Sequence, residues 1–160
     1  MSIYNNIFLQ TDKDGNKINP NILFLSGPLI QVVITPPQPL VDLLTKQGKA
    51  IPQPITGIGL IDTGATKTCV HEKIMEKLGV NPVGITTTHT ANGPKGCNLY
   101  PAHFSFPGAK IEVDFNSVIE VNLTGQTFNN QQIISLIGRD MLSHTVFIYN
   151  GPLGMYTLTM

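Results

Sequence analysis

The chain has 160 residues, of which 41% are apolar and only 12% charged, with a formal net charge of zero. Ordinary globular domains carry about 25% charged residues, so sparse a pattern suits a β-rich chain that buries surface against a partner. One domain with a core able to stand unstapled fits this length, and the lack of any Lys/Arg run excludes nucleic acid as a main ligand, since phosphate binding draws on clustered cations.

Residues Met1 to Gln10 do not join a basic segment to a long apolar one, so no secretory leader is expected, and no run is long enough for a membrane helix. Cys69 and Cys97 make neither a C-x-x-C pair nor a disulfide framework, which points to a reducing, cytoplasmic setting.

The 15 glycines and 12 prolines punctuate short runs rich in Ile, Val, Leu, Phe and Thr, the signature of many short strands. In chain order, strands are expected near Ile3–Gln10, Asn21–Leu25, Pro28–Thr35, Ile55–Ile61, Ile85–Thr90, Asn98–Phe106, Lys110–Val121, Ile133–Leu136, Thr145–Tyr149 and Met155–Thr159. The first two are expected to pair as a hairpin in an N-terminal extension, residues 1–27, of a single domain spanning 1–160. Pro36–Gln53 reads as an irregular loop. Val70, Ile74, Met75 and Leu78 recur at helical spacing with Gly79 placed as a cap, so a helix is expected over 70–79. A shorter helical turn should open at Gly138-Arg-Asp-Met-Leu142. Asn150-Gly-Pro-Leu-Gly154 should turn the last two strands into a hairpin.

The stretch that carries chemistry is Gly59-Leu60-Ile61-Asp62-Thr63-Gly64-Ala65. An apolar strand runs into an acid and then turns on a glycine, which delivers a carboxylate at the end of a buried strand. Such a carboxylate is either an expensive structural feature or a catalytic one. Acid hydrolysis of an amide by aspartates needs two carboxylates sharing a proton, one to deprotonate water and one to protonate the carbonyl oxygen. No second Asp-Thr-Gly or Asp-Ser-Gly exists; the nearest echo, Leu123-Thr124-Gly125, has leucine in place of the acid. A two-fold homodimer supplies the missing group, because symmetry brings the same residue from each copy to the axis.

Leu60-Ile61-Asp62-Thr63-Gly64-Ala65 resembles the catalytic loop of retropepsin-like aspartic proteases. The second mark of that family, two apolar residues followed by Gly, Arg and Asn or Asp at the start of a short helix, is matched by Leu136-Ile137-Gly138-Arg139-Asp140-Met141-Leu142. The marks stand in the family's order, with Gly138 lying 76 positions after Asp62. Gly27-Pro28-Leu29-Ile30-Gln31-Val32-Val33-Ile34 is similar to the strand before the catalytic one, so the resemblance spans roughly Pro28 to Leu158.

The resemblance implies an all-β acid protease fold, a closed or partly open β-barrel with one or two short helices. It further implies a homodimeric endopeptidase of the cellular or bacterial branch, acting on polypeptides, with no cofactor, metal, nucleic acid or membrane partner. Asp62, Thr63 and Gly64 would form the catalytic loop. Ala65 and the flap residues Thr90, Ala91, Asn92 and Gly93 would contact substrate, while Gly138, Arg139 and Asp140 would support the site. Viral members place an acid just beyond the Ala to pair with the arginine; here Thr66 and Lys67 follow, leaving Asp140, Glu72 or a backbone carbonyl as partners for Arg139, the one arginine in the chain. The alternative reading is a peptide-binding module that keeps the fold without turnover.

Other motifs read more blandly. Asp12-Lys-Asp-Gly-Asn16 starts like a calcium loop, but Lys17 and Leu23 stand where that loop needs Gly and Glu. His71, His89, His103 and His144 show no metal-ligand spacing with the cysteines. Cys69 is expected in the core rather than as a nucleophile paired with His71.

Overall fold

The computed structural model of this chain describes residues 2–90 and 93–160. The first pieces are β1 (Ile3–Ile7), β2 (Leu9–Asp12), β3 (Gly15–Ile18) and helix α1 (Pro20–Ser26). There follow β4 (Leu29–Thr35), α2 (Gln38–Lys46), β5 (Ile55–Ile61), β6 (Cys69–His71) and α3 (Ile74–Lys77). The second half holds β7 (Gly84–Thr90), β8 (Gly93–Phe106), β9 (Ile111–Val121), β10 (Thr127–Phe128) and β11 (Gln131–Ile137). Helix α4 (Arg139–Leu142), β12 (Val146–Asn150) and β13 (Met155–Thr159) close the chain. The architecture is all-β with short helices, and none of the described helices is long and apolar enough to cross a membrane.

Six strands close on themselves in the order β11-β5-β4-β8-β9-β6, and β6 returns to β11. Closure removes the free edges that an open sheet would expose. Two of these pairings are parallel, β11 with β5 and β6 with β9, and the rest antiparallel. Alternation fills the interior: Tyr100, Ala102, Phe104 and Phe106 of β8 and Val32 and Ile34 of β4 are buried, and Phe104 meets Phe115 edge-on at 5.1 Å.

The termini form a second sheet, β1-β13-β12. Its inner face buries Tyr156 and Leu158. Tyr4 and Phe147 each stand 5.9 Å from the Tyr156 ring, and Tyr156 Oη donates to the Leu29 carbonyl of β4, tying the sheet to the barrel.

Several elements differ from expectation. The run 21–25 is helical, not extended. Asn19 Oδ1 accepts the Asn21 N–H at 3.1 Å, Pro20 opens the helix, and Gly27 ends it at φ +71°. These cap signals outweigh the strand-like composition of Ile22–Leu25. The N-terminal hairpin therefore pairs β2 with β3 around Gly15, not with 21–25, and the first expected strand breaks at buried Phe8, whose N–H donates to Gly154 O at 3.1 Å. Within the expected loop Pro36–Gln53, α2 presents Leu40, Val41 and Leu44 at helical spacing, and Leu40 packs against the core. In the expected helix over 70–79, β6 takes the first residues because barrel closure needs a strand between β9 and β11. Only Ile74–Lys77 remains helical, ended by Gly79 at φ +67°. Four helices thus stand among the described residues where one or two were expected.

Candidate active site

Because β5 and β11 run parallel, the segments leaving them emerge at the same end of the barrel. The chain after β5 is Asp62–Ala65, and the chain after β11 is Gly138–Asp140. The Asp62 N–H donates to Ile137 O at 2.9 Å, continuing the ladder one residue past the strand. Asp62 Oδ1 then accepts the N–H of Gly64 at 2.8 Å and of Ala65 at 3.3 Å. That turn fixes one carboxylate oxygen by backbone donors. A Cβ at Gly64 would stand 3.0 Å from that oxygen, so the smallest residue suits the turn. Asp62 is half-buried, and no hydrogen bond from a described residue reaches Oδ2.

The second loop locks the first. Arg139 N–H donates to Ala65 O at 2.9 Å, and Asp140 N–H to Thr66 O at 3.2 Å. The Arg139 fork donates from Nη1 to the carbonyls of Thr63 (2.7 Å) and Gly64 (3.1 Å), and from Nη2 to Thr66 Oγ1 (2.9 Å). The guanidinium's planar array of donors suits this clustered set of oxygens. Arg139 therefore pairs with backbone carbonyls and Thr66, and not with Asp140 or Glu72.

Asp140 has other work. Its carboxylate accepts the N–H of Thr68 at 2.9 and 3.0 Å, the Thr68 hydroxyl at 2.8 Å and the Met141 N–H at 2.9 Å. Thr68 Oγ1 in turn accepts the Gly138 N–H at 3.1 Å. The loops meet so closely that a Cβ on Gly138 would lie 2.4 Å from the Lys67 carbonyl carbon and 2.6 Å from its oxygen. In the sequence Thr66 stands out only as the residue in place of the expected acid, and nothing there marks Thr68.

Beside this hub, burial pushes the Cys69 thiol up to about 11, with the negative charges of Asp140 and Asp62 adding to the effect. Cys69 Sγ donates to Lys67 O at 3.4 Å, while His71 Nδ1 accepts the Leu123 N–H at 3.1 Å. Residues two apart on β6 share a face, but here each is engaged elsewhere and no nucleophile–base pair forms. Among the described residues, no three His, Cys, Asp or Glu side chains gather as a metal site would need.

The expected flap corresponds to the β7–β8 hairpin, paired from Gly84↔Leu99 to Thr90↔Gly93. Gly93 takes φ +100°, a conformation glycine favours. Ala91 and Asn92 lie outside the described residues. No hydrogen bond among the described residues joins this hairpin to the Asp62 loop.

No protein-family model matches the chain, and no curated protein matches it. One similar solved structure is the solution structure of the Simian Foamy Virus (mac) protease. It shares 19% identity at a TM-score of 0.40, covering 72% of this chain and 92% of that one. At that distance the likeness assigns no activity.

Proposed function

We propose that the chain is a retropepsin-like aspartic endopeptidase whose active form is a homodimer with one Asp62 from each copy. The observation that carries this reading is the locking of the Asp62 loop by the Gly138–Asp140 loop. That lock holds one carboxylate oxygen by backbone donors, while no hydrogen bond from a described residue reaches the other. A turn serving structure alone has no need of an arginine fork and a second loop to fix it.

In the assembled pair, one Asp62 carboxylate is ionised and the other protonated. The ionised group takes a proton from a water held between them, and the water oxygen bonds to the scissile carbonyl carbon. The protonated group gives its proton to the carbonyl oxygen, forming a tetrahedral diol. Collapse restores the carbonyl, breaks the C–N bond and delivers a proton to the leaving amine. Thr63 and Gly64 shape the loop at the axis. Ala65, Thr90, Ala91, Asn92 and Gly93 line the path of an extended polypeptide, which pairs with the hairpin like an added strand. The whole chain, 1–160, acts as one domain with residues 1–27 as an extension. The two buried free cysteines accord with a cytoplasmic setting.

A mixing experiment tests the shared site. An excess of Asp62→Asn chains, equilibrated with wild-type chains, should draw them into one-carboxylate dimers and suppress peptide cleavage in proportion to the excess. Cleavage that stays constant per wild-type chain would show that each chain works alone and would overturn the reading.

A further inference from the structure

The segment between β4 and β5 contains α2, none of whose residues is fully buried. Between this helix, the returning residues 51–54 and the end of β4 lies a cleft of about 320 Å³. Pro36, Val41, Ile51, Pro52 and Pro54 give it apolar walls, and ring-locked prolines hold their shape with little ordering cost. Thr35 and His103 also line it, opposite one another where β4 pairs with β8. His103 is in turn opposite Asp114 on β9, and cross-strand partners share a face, so the three stand in one row. His103 Nδ1 meets Asp114 Oδ1 at 2.8 Å. An ionised carboxylate can only accept, so in the neutral ring it holds the proton on Nδ1 and makes Nε2 an acceptor. No hydrogen bond among the described residues engages Nε2. The cleft is thus an apolar enclosure with a base of fixed tautomer on its wall, a feature that neither the barrel nor the Asp62 loop uses.

We propose that this cleft binds a small neutral aromatic molecule with one N–H or O–H donor, a fused bicycle of the indole type, whose donor bonds to His103 Nε2. Size sets the class of ligand. An apolar cavity of about 150 Å³ takes benzene, so a space about twice that suits two fused rings. Charge decides against ions. An anion would face the Asp114 carboxylate behind the ring, and a cation would give up its water for walls that hold no carboxylate. A single acceptor among apolar walls selects a matching donor, because an analogue without one leaves that acceptor unpaired. The site stands apart from the Asp62 loop. Pro54 leads directly into β5, whose seven residues, Ile55–Ile61, must be crossed before Asp62 is reached. At about 3.3 Å per residue the two places lie roughly 20 Å apart or more, so the proposal holds or fails independently of the peptidase reading.

Indole itself is the probe, since the chain has no tryptophan and indole fluorescence then reports the ligand alone. Titration of the wild-type chain should show saturable binding at one site. Benzothiophene, the same bicycle with sulfur in place of N–H, is the competitor, and the readout is the ratio of the two affinities. Taking that ratio within each protein cancels the difference in the probes' own hydrophobicity. His103→Leu should shift it about 3–10-fold toward benzothiophene, the loss of one hydrogen bond. Asp114→Asn lets the proton sit on either ring nitrogen and should shift the ratio the same way by less. Its side chain is 76% exposed, so this variant carries the test if His103→Leu does not fold. Val41→Phe fills the cleft and should abolish indole binding while the circular dichroism stays that of wild type. A wild type that binds no indole, indole binding that survives Val41→Phe, or a ratio unmoved by either change in the His103–Asp114 pair would overturn the site.

Discussion

Asp140→Ala removes the acceptor on which a buried threonine depends. Thr68 is fully buried, and both its N–H and its hydroxyl donate to Asp140. Neither donor makes another hydrogen bond among the described residues. Each stranded buried donor costs about 1–3 kcal/mol, and bonds to a charged acceptor sit toward the upper end. Met141 N–H, the third donor, lies at the start of α4 and contributes less. The sum is a loss of about 4 kcal/mol, a large share of the stability of a domain this size. With about 2–4 °C of melting temperature lost per kcal/mol for 150–250 residues, the midpoint should fall by roughly 8–16 °C. Urea titration should show a lower midpoint at an unchanged slope. Asp140→Asn keeps one acceptor oxygen and should lose about half as much. A fall of under about 0.5 kcal/mol in Asp140→Ala, the size of an ordinary surface change, would refute the claim that this carboxylate holds the two loops together.

Gly138→Ala should destabilise by about 2 kcal/mol or more, since the new methyl meets Lys67 backbone at 2.4 Å rather than a yielding side chain; a stability scan within error of wild type would contradict the packing described. Cys69 should resist alkylation at neutral pH in the folded chain and react at the usual thiol rate once unfolded, as mass spectrometry of each cysteine would reveal. Its folded value lies above the unfolded value of 9.0, so its contribution to stability is full below pH 9 and is lost as pH rises toward about 11. A Cys69→Ala variant should show a shallower alkaline decline, and an identical decline would assign it to other groups.

The readable parts of the chain were those where local pattern and final role coincide. The strands of the barrel other than β6 alternate or run apolar between Gly and Pro, and they form where the pattern puts them. Asp62 and the Gly138–Asp140 mark stand out by residue type in the sequence, and the fold brings them together through one parallel pairing. Other parts depend on distant segments. β6 is only three residues long and becomes a strand because β9 and β11 flank it, which no local periodicity shows. α1 carried its cap and stop, Asn19-Pro20 and Gly27, in full view, yet four apolar residues in a row read as extended. In α2, Pro37 and Pro39 at the start hid a helical spacing that begins only after them. Arg139 bonds to main-chain carbonyls, which every residue has, so no side chain marks that partner.

The most direct test of the central claim is cleavage of an unfolded protein mixture by wild type and Asp62→Asn, read by mass spectrometry from acid to neutral pH. The Asn side chain keeps an acceptor for the Gly64 and Ala65 N–H groups, so the variant should fold. It can neither ionise nor relay the proton, so its cleavage should vanish while wild type produces a consistent set of cut sites. Equal cleavage by both proteins, or none by a dimeric wild type at any pH, would contradict the assignment of Asp62 as the catalytic acid.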